Sequence, residues 1–207
     1  LLEMSGRKEI AASASEAEIF EALLRLTNPE ERAVYFLVGH GERDSLEYNQ
    51  ETGSMTRARE ILESKNYTVS TLNLPAENKM PEDADLIIIA GPVQPITENE
   101  QKLLRAYLAG GGSLLVMEDP LIATDFGDQA DPLAELLLED WGISINNDIV
   151  IDLDSPDPTI GTAADYPGPH AITRKMNNII TYFPLTRSLT IASAPENVQA
   201  SLLVQTT

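Results

Sequence analysis

Residues 85–91 read DLIIIAG, and the fold turns on them. From Leu86 to Ala90 the run is apolar without a break. A strand with one wet face alternates apolar and polar residues, because successive side chains point to opposite faces. An unbroken run marks a strand covered on both faces, as in parallel sheets with crossover helices above and below. Gly91-Pro92 then stops it.

Working outward, the neighbouring segments fit the same architecture. AVYFLV, 33–38, and YTVSTLNL, 67–74, read as strands before it, and SLLVMED, 113–119, reads as one after it. ISINNDIVID, 143–152, reads as a late strand or pair of strands. Helices are predicted between them. Residues 15–27 place Ile19, Phe20, Leu23, Leu24 and Leu26 on a broad apolar face, with Ser15 and Glu18 at capping-box spacing and Asn28-Pro29 as the stop. Residues 53–65 carry Met55, Ala58, Ile61 and Leu62 on one side, closed by Asn66 in the left-handed conformation. Residues 97–109 open on the box Thr97…Glu100, bury Leu103, Leu104, Tyr107 and Leu108, and stop at Gly110-Gly111-Gly112. Asp131-Pro132 starts a further helix with cap and first-turn proline in the favoured order. There Leu133, Leu137 and Trp141 share a face, with Trp141 toward the core, and Gly142 ends the helix. The link 75–84, PAENKMPEDA, is too short and proline-rich for a full helix. Residues 153–171 read as a long loop, and NIITYF, SLTIA and SLLVQ as short terminal strands. Strands alternating with helices define an α/β class with a doubly wound, mostly parallel sheet. The 207 residues fit a single domain, with 1–30 as an N-terminal helical segment and 153–207 as loop and short strands.

Composition limits the functions. The net charge is −19, and a surface this acidic repels nucleic-acid phosphates and anionic lipid. There are no cysteines, so disulfides, thiolate nucleophiles and Cys-ligated zinc are excluded. No apolar run reaches the roughly 18 residues a membrane-spanning helix needs. The chain opens on Leu1 and ends in LLVQTT, which reads as an excised soluble domain.

In doubly wound folds the ligand crevice lies beyond the carboxyl ends of the strands, where strand order reverses. Three polar elements fall there: Gly39-His40-Gly41-Glu42 after the first strand, Gly91-Pro92-Val93-Gln94-Pro95 after the DLIIIA strand, and Glu118-Asp119-Pro120 after SLLVM. If the first and third strands are neighbours, as in a flavodoxin-like order, His40, Glu42 and Gln94 line one rim with Glu118 and Asp119 beside them. His170 sits in the later Pro/Gly loop, and loops on a rigid scaffold often carry function. Each element also has a plain structural reading: glycines around His40 serve a tight turn with positive φ, and the acids after SLLVM face water. No Gly-x-Ser-x-Gly, Walker or His-Glu-x-x-His pattern is present, and Gly110-Gly111-Gly112 precedes a strand, so it cannot cradle phosphate. No cofactor, metal or catalytic residue is assigned. The alternative is a hydrolase acting on a sugar or amide, with His40 and a carboxylate as the catalytic pair. Aromatic residues make up only 5%, which disfavours a sugar-stacking platform.

VYFLVGHGERD, ADLIIIAGPVQPITENEQKLLRAYLAGGGSLLVMEDP and HAITRKM together resemble the auxiliary-component family of ABC-type transport systems, which includes gliding-motility auxiliary proteins. The resemblance implies a class I glutamine amidotransferase-like, flavodoxin-like fold, similar also to the N-terminal domain of an intraflagellar transport subunit. It implies a membrane-anchored, extracytoplasmic binding domain that accompanies an ABC permease and ATPase and recognises carbohydrate or another cell-surface ligand. On the family's motifs fall His40 and Glu42, Gly91 and Pro92, Asp119 and Pro120, and His170, where Ala171 replaces the more usual proline.

Overall fold

The structure is a computed structural model that describes residues 1–27, 32–48, 53–164, 166, 168, 170–176, 179–193 and 195–205. The chain forms two compact units, Leu1–Gly91 with Lys102–Met117, and Pro92–Gln101 with Glu118–Thr207.

The first unit holds the predicted parallel sheet. Its strands are β3 (Arg32–Leu37), β4 (Tyr67–Leu72), β5 (Ala84–Ala90) and β6 (Ser113–Met117), ordered β4-β3-β5-β6. All three pairings are parallel, with Val34 opposite Val69, Phe36 opposite Ile88, and Ile88 opposite Leu115. The first and third strands of the sheet are therefore neighbours. Ile87 and Ile89 are 0% exposed and Ile88 4%, so β5 is covered on both faces, as its unbroken apolar run requires. One face buries Val34, Phe36, Val69, Ile88 and Ala90 against Met55, Ala58 and Leu62 of and beside α2 (Thr56–Ser64). Register shifts between Ala33 and Val34, and there the Asp85 carboxylate accepts the Ala33 amide at 2.8 Å. Asn66 follows α2 with φ +69°, the left-handed closure expected. The 75–84 link holds one helical turn, α3 (Leu74–Glu77), capped by Asn73.

Before the sheet lie a hairpin, β1 (Leu2–Met4) with β2 (Arg7–Glu9), and α1 (Glu16–Thr27). The hairpin was not legible in the sequence. The broad apolar face expected of α1 is a correction: Ala22 and Leu26 are buried, whereas Ile19, Phe20 and Leu23 are exposed. The stop expected at Asn28-Pro29 lies outside the described residues.

α4 (Glu98–Ala109) starts on the predicted reciprocal box. The Thr97 amide donates to Glu100 Oε2 at 2.8 Å, and the Glu100 amide donates to Thr97 Oγ1 at 3.3 Å. The second unit contains α5 (Pro132–Trp141), capped by Asp131 and closed by Gly142 at φ +65°. Its strands form two antiparallel pairs, β7 (Ile143–Ile145) with β10 (Leu189–Ile191), and β8 (Ile160–Ala163) with β9 (Thr181–Pro184). Three expectations fail here. ISINNDIVID keeps only three residues as strand, β8 arises inside the predicted long loop, and 201–205 form no strand. Trp141 is 36% exposed and is not core, because α5 turns Leu133 and Leu136 inward instead.

Candidate functional site

In the first unit the site is built from the end of β3. Gly39 has φ +127°, and a Cβ there would lie 3.0 Å from Pro75 Cγ, so only glycine lets the chain leave the strand past α3. Gly41 follows at φ +79°. These two turns fold Glu42 back onto His40. Glu42 Oε1 meets His40 Nδ1 at 3.0 Å, and Glu42 Oε2 accepts the His40 amide at 2.8 Å. The two side chains are only 6% and 1% exposed. Burial pushes the Glu42 carboxyl up, but the bonds from the His40 ring, Glu42's own amide and the His40 amide outweigh it and hold it below the usual range. An ionised Glu42 can only accept, so Nδ1 carries a proton, and in the neutral ring Nε2 is the acceptor nitrogen. The plain reading of the glycines is thus correct, and it does not exclude the other: the same turn holds the imidazole against a carboxylate.

The loop also reaches β5. The Arg43 amide donates to Ala90 O at 2.8 Å, and the Gly91 amide donates to Met117 O at 2.7 Å. The β3 loop and the start of the Gly91-Pro92 element therefore sit together at the carboxyl ends of two neighbouring strands. Ser45 is 2% exposed, and its Oγ has no hydrogen-bond partner, so it is not bonded to the imidazole.

The second unit holds the other expected residues. Pro92 is buried and Gln94 exposed. Glu118 follows β6 with its side chain 2% exposed; its Oε2 lies 3.5 Å from Arg187 Nη1. Burial pushes Glu118 up to about 8, and the neighbouring Asp131 carboxylate adds to this while Arg187 opposes it. The expectation that this acid faces water is corrected. Asp131 was legible only as a helix cap, and Arg187 carries no local signal at all, so their meeting with Glu118 depends on tertiary structure. Asp119 is partly exposed. His170 Nδ1 accepts the Ile172 amide at 3.3 Å, within its own loop.

A hollow of about 850 Å³ opens elsewhere in the first unit, among Arg32, Tyr67, Asp85, Tyr107 and Ser113. Arg32, Tyr67, Asp85 and Ser113 stand at the amino-terminal ends of the strands and Tyr107 near the end of α4, away from the turn that follows β3, so the hollow is not this site. Among the described residues no group of three or more His, Asp or Glu could hold a metal ion, and no helix is long and apolar enough to cross a membrane.

A four-stranded parallel α/β sheet carrying a histidine–carboxylate turn at its carboxyl edge defines the class. The chain belongs to the family described as an ABC-type uncharacterized transport system, which it matches over residues 31–207. The chain is also 38% identical over 66 residues to the mouse intraflagellar transport protein 52 homolog, a match spanning 32% of this chain and 15% of that protein. The solved structure titled mmIFT52 N-terminal domain shares the fold, with a TM-score of 0.59 at 23% identity, over 76% of this chain and 68% of that one.

Proposed function

We propose that the domain is a non-enzymatic accessory module that binds a ligand or a partner subunit at the carboxyl edge of its parallel sheet. One observation carries this: the His40–Glu42 turn leaves β3, and the next residue, Arg43, donates its amide to the end of β5, at the place in the order β4-β3-β5-β6 where the chain reverses direction across the sheet. Such a reversal leaves a crevice between the two diverging loops, and open α/β sheets bind there. In the first unit Gly39, His40, Gly41, Glu42 and Gly91 form the proposed lining at β3 and β5; in the second unit Pro92, Gln94, Glu118, Asp119 and His170 are proposed as a separate polar group. The strand order supports a flavodoxin-like or class I glutamine amidotransferase-like relationship. Family membership supports permease and ATPase subunits as partners. It also supports an extracytoplasmic position beside a membrane anchor, and a carbohydrate or other cell-surface ligand.

The test is a thermal-shift screen of the domain against sugars, peptidoglycan fragments, nucleotides and purified permease. A ligand at a hundred times its Kd stabilises the fold by about 2.7 kcal/mol, which is readily seen. The expected hit is lost in His40→Ala, whose own melting curve without ligand shows that the domain still folds. A hit indifferent to this change removes the site from this edge.

The oriented imidazole favours a second reading, a hydrolase using His40 as base. Turnover of any glycoside, amide or ester that is abolished in Glu42→Gln would replace the first reading with this one.

A further inference from the structure

The hollow of about 850 Å³ at the amino-terminal ends of the strands lies wholly within the first unit, and ligand clefts typically enclose roughly 300–1,000 Å³. Strand order sets its polar lining. Tyr67, Arg32, Asp85 and Ser113 come from β4, β3, β5 and β6 in turn. Arg32 pairs in register with Tyr67. Ala33 stands opposite Ala84 and Val34 opposite Leu86, so Asp85 is left over as a bulge, a device that re-aims a side chain. Its Oδ2 accepts the Ala33 amide at 2.8 Å, which fixes the carboxylate beside β3, while its Oδ1 makes no hydrogen bond among the described residues. The Arg32 guanidinium makes no hydrogen bond or ion pair among them either. Two opposite charges thus line one hollow from adjacent strands, about 4.8 Å apart, without neutralising each other.

The rest of the lining is apolar or already committed. The Tyr107 hydroxyl donates to Ser113 O and accepts the Ser113 amide, both at 3.0 Å, and its ring lies against Gly112, where a Cβ would collide with it. The amides of Gly110, Gly111 and Gly112 donate to Ala106 O, Leu108 O and Tyr107 O, so none is left to hold a phosphate. Glu82 is engaged by Lys79 at 2.9 Å. A purely anionic ligand meets Asp85 unpaired, and a purely cationic one meets Arg32. We propose that the hollow binds a free α-amino acid or short free peptide, with its carboxylate on Arg32, its ammonium on Asp85 Oδ1 and its side chain among Tyr67, Tyr107 and Met80. Such a zwitterion supplies both missing partners at once, through charge-assisted hydrogen bonds. None of these residues belongs to the His40–Glu42 turn, so the proposal succeeds or fails apart from the binding reading at the other edge.

The experiment is calorimetric titration of the domain with the common amino acids and with dipeptides that begin in alanine, each in free, amino-acetylated and carboxy-amidated form. At least one free ligand should bind, and blocking either end should weaken it about tenfold, the effect of losing one charged hydrogen bond. Arg32→Gln should bind the free and amidated forms equally. Asp85→Asn should bind the free and acetylated forms equally, since asparagine keeps an oxygen for the Ala33 amide and loses only the charge. No binding by any free form, or a binder indifferent to Arg32→Gln, overturns the proposal. Arg32 is exposed, so its variant decides alone should Asp85→Asn fail to fold.

Discussion

Glu42 and Glu118 are two glutamates at the carboxyl ends of parallel strands, with side chains 1% and 2% exposed. Burial opposes the charge on both. Yet Glu42 is held below the usual carboxylate range and Glu118 is lifted to about 8. The difference lies in what faces each acid. Glu42 accepts an imidazole N–H and backbone amides, all donors supplied by one four-residue turn. Glu118 meets a single guanidinium at longer range and two other acids. Desolvation sets the penalty, and the count of nearby donors decides whether the charge survives it.

The harshest way to break this contrast is to remove the well-satisfied acid. Glu42→Ala strands the His40 amide and Nδ1–H in a buried loop. Losing a charged partner of buried donors costs about 3 kcal/mol, read as a lowered denaturation midpoint at unchanged slope. A loss near zero would mean that water replaces the carboxylate and that the turn is not braced by it.

A smaller and sharper effect appears in acid. Glu42 has a folded value below its unfolded 4.5, so its contribution is complete above 4.5 and is lost as pH falls through the lower folded value. Glu42→Gln should be less stable than wild type at neutral pH by about 1 kcal/mol, and the two should converge in acid. Urea denaturation at several acidic pH values checks this. Curves that stay parallel would show that Glu42 is not ionised at neutral pH, and the comparison with Glu118 would collapse.

How much of this was legible follows from the range of the interactions. β3, β5 and α4 were visible because their signals are local: an apolar run bounded by glycine, and a capping box three residues wide. His40 and Glu42 were legible together, since glycine at 39 and 41 leaves a turn that lets neighbours two apart meet. Glu118 was legible as a strand-end acid but not as a buried one. Its environment comes from Asp131 and Arg187, the latter 69 residues away. Trp141 was misplaced for the same reason, because helical periodicity offers two adjacent faces and only packing chooses between them. The short strands of the second unit pair through hydrogen bonds more than through a buried face, so apolar pattern carried little information about them.

The finest test of the contrast is a change whose effect must depend on pH. Asp131 plays two parts that can be separated by titration. As the α5 cap it accepts the Ala134 amide, and losing a cap costs about 1 kcal/mol at any pH where the carboxylate is intact. As the neighbour of Glu118 its carboxylate raises that acid's value and repels its charge once Glu118 ionises. Asp131→Ala therefore destabilises most below about 8, where the cap is lost and there is no repulsion to relieve. Above that value the lost cap is offset by relief of repulsion between the two carboxylates, so the penalty shrinks. A penalty that stays constant across the titration would reduce Asp131 to a cap alone. The high value of Glu118 would then rest on burial, and the two glutamates would differ only in the donors that Glu42 possesses.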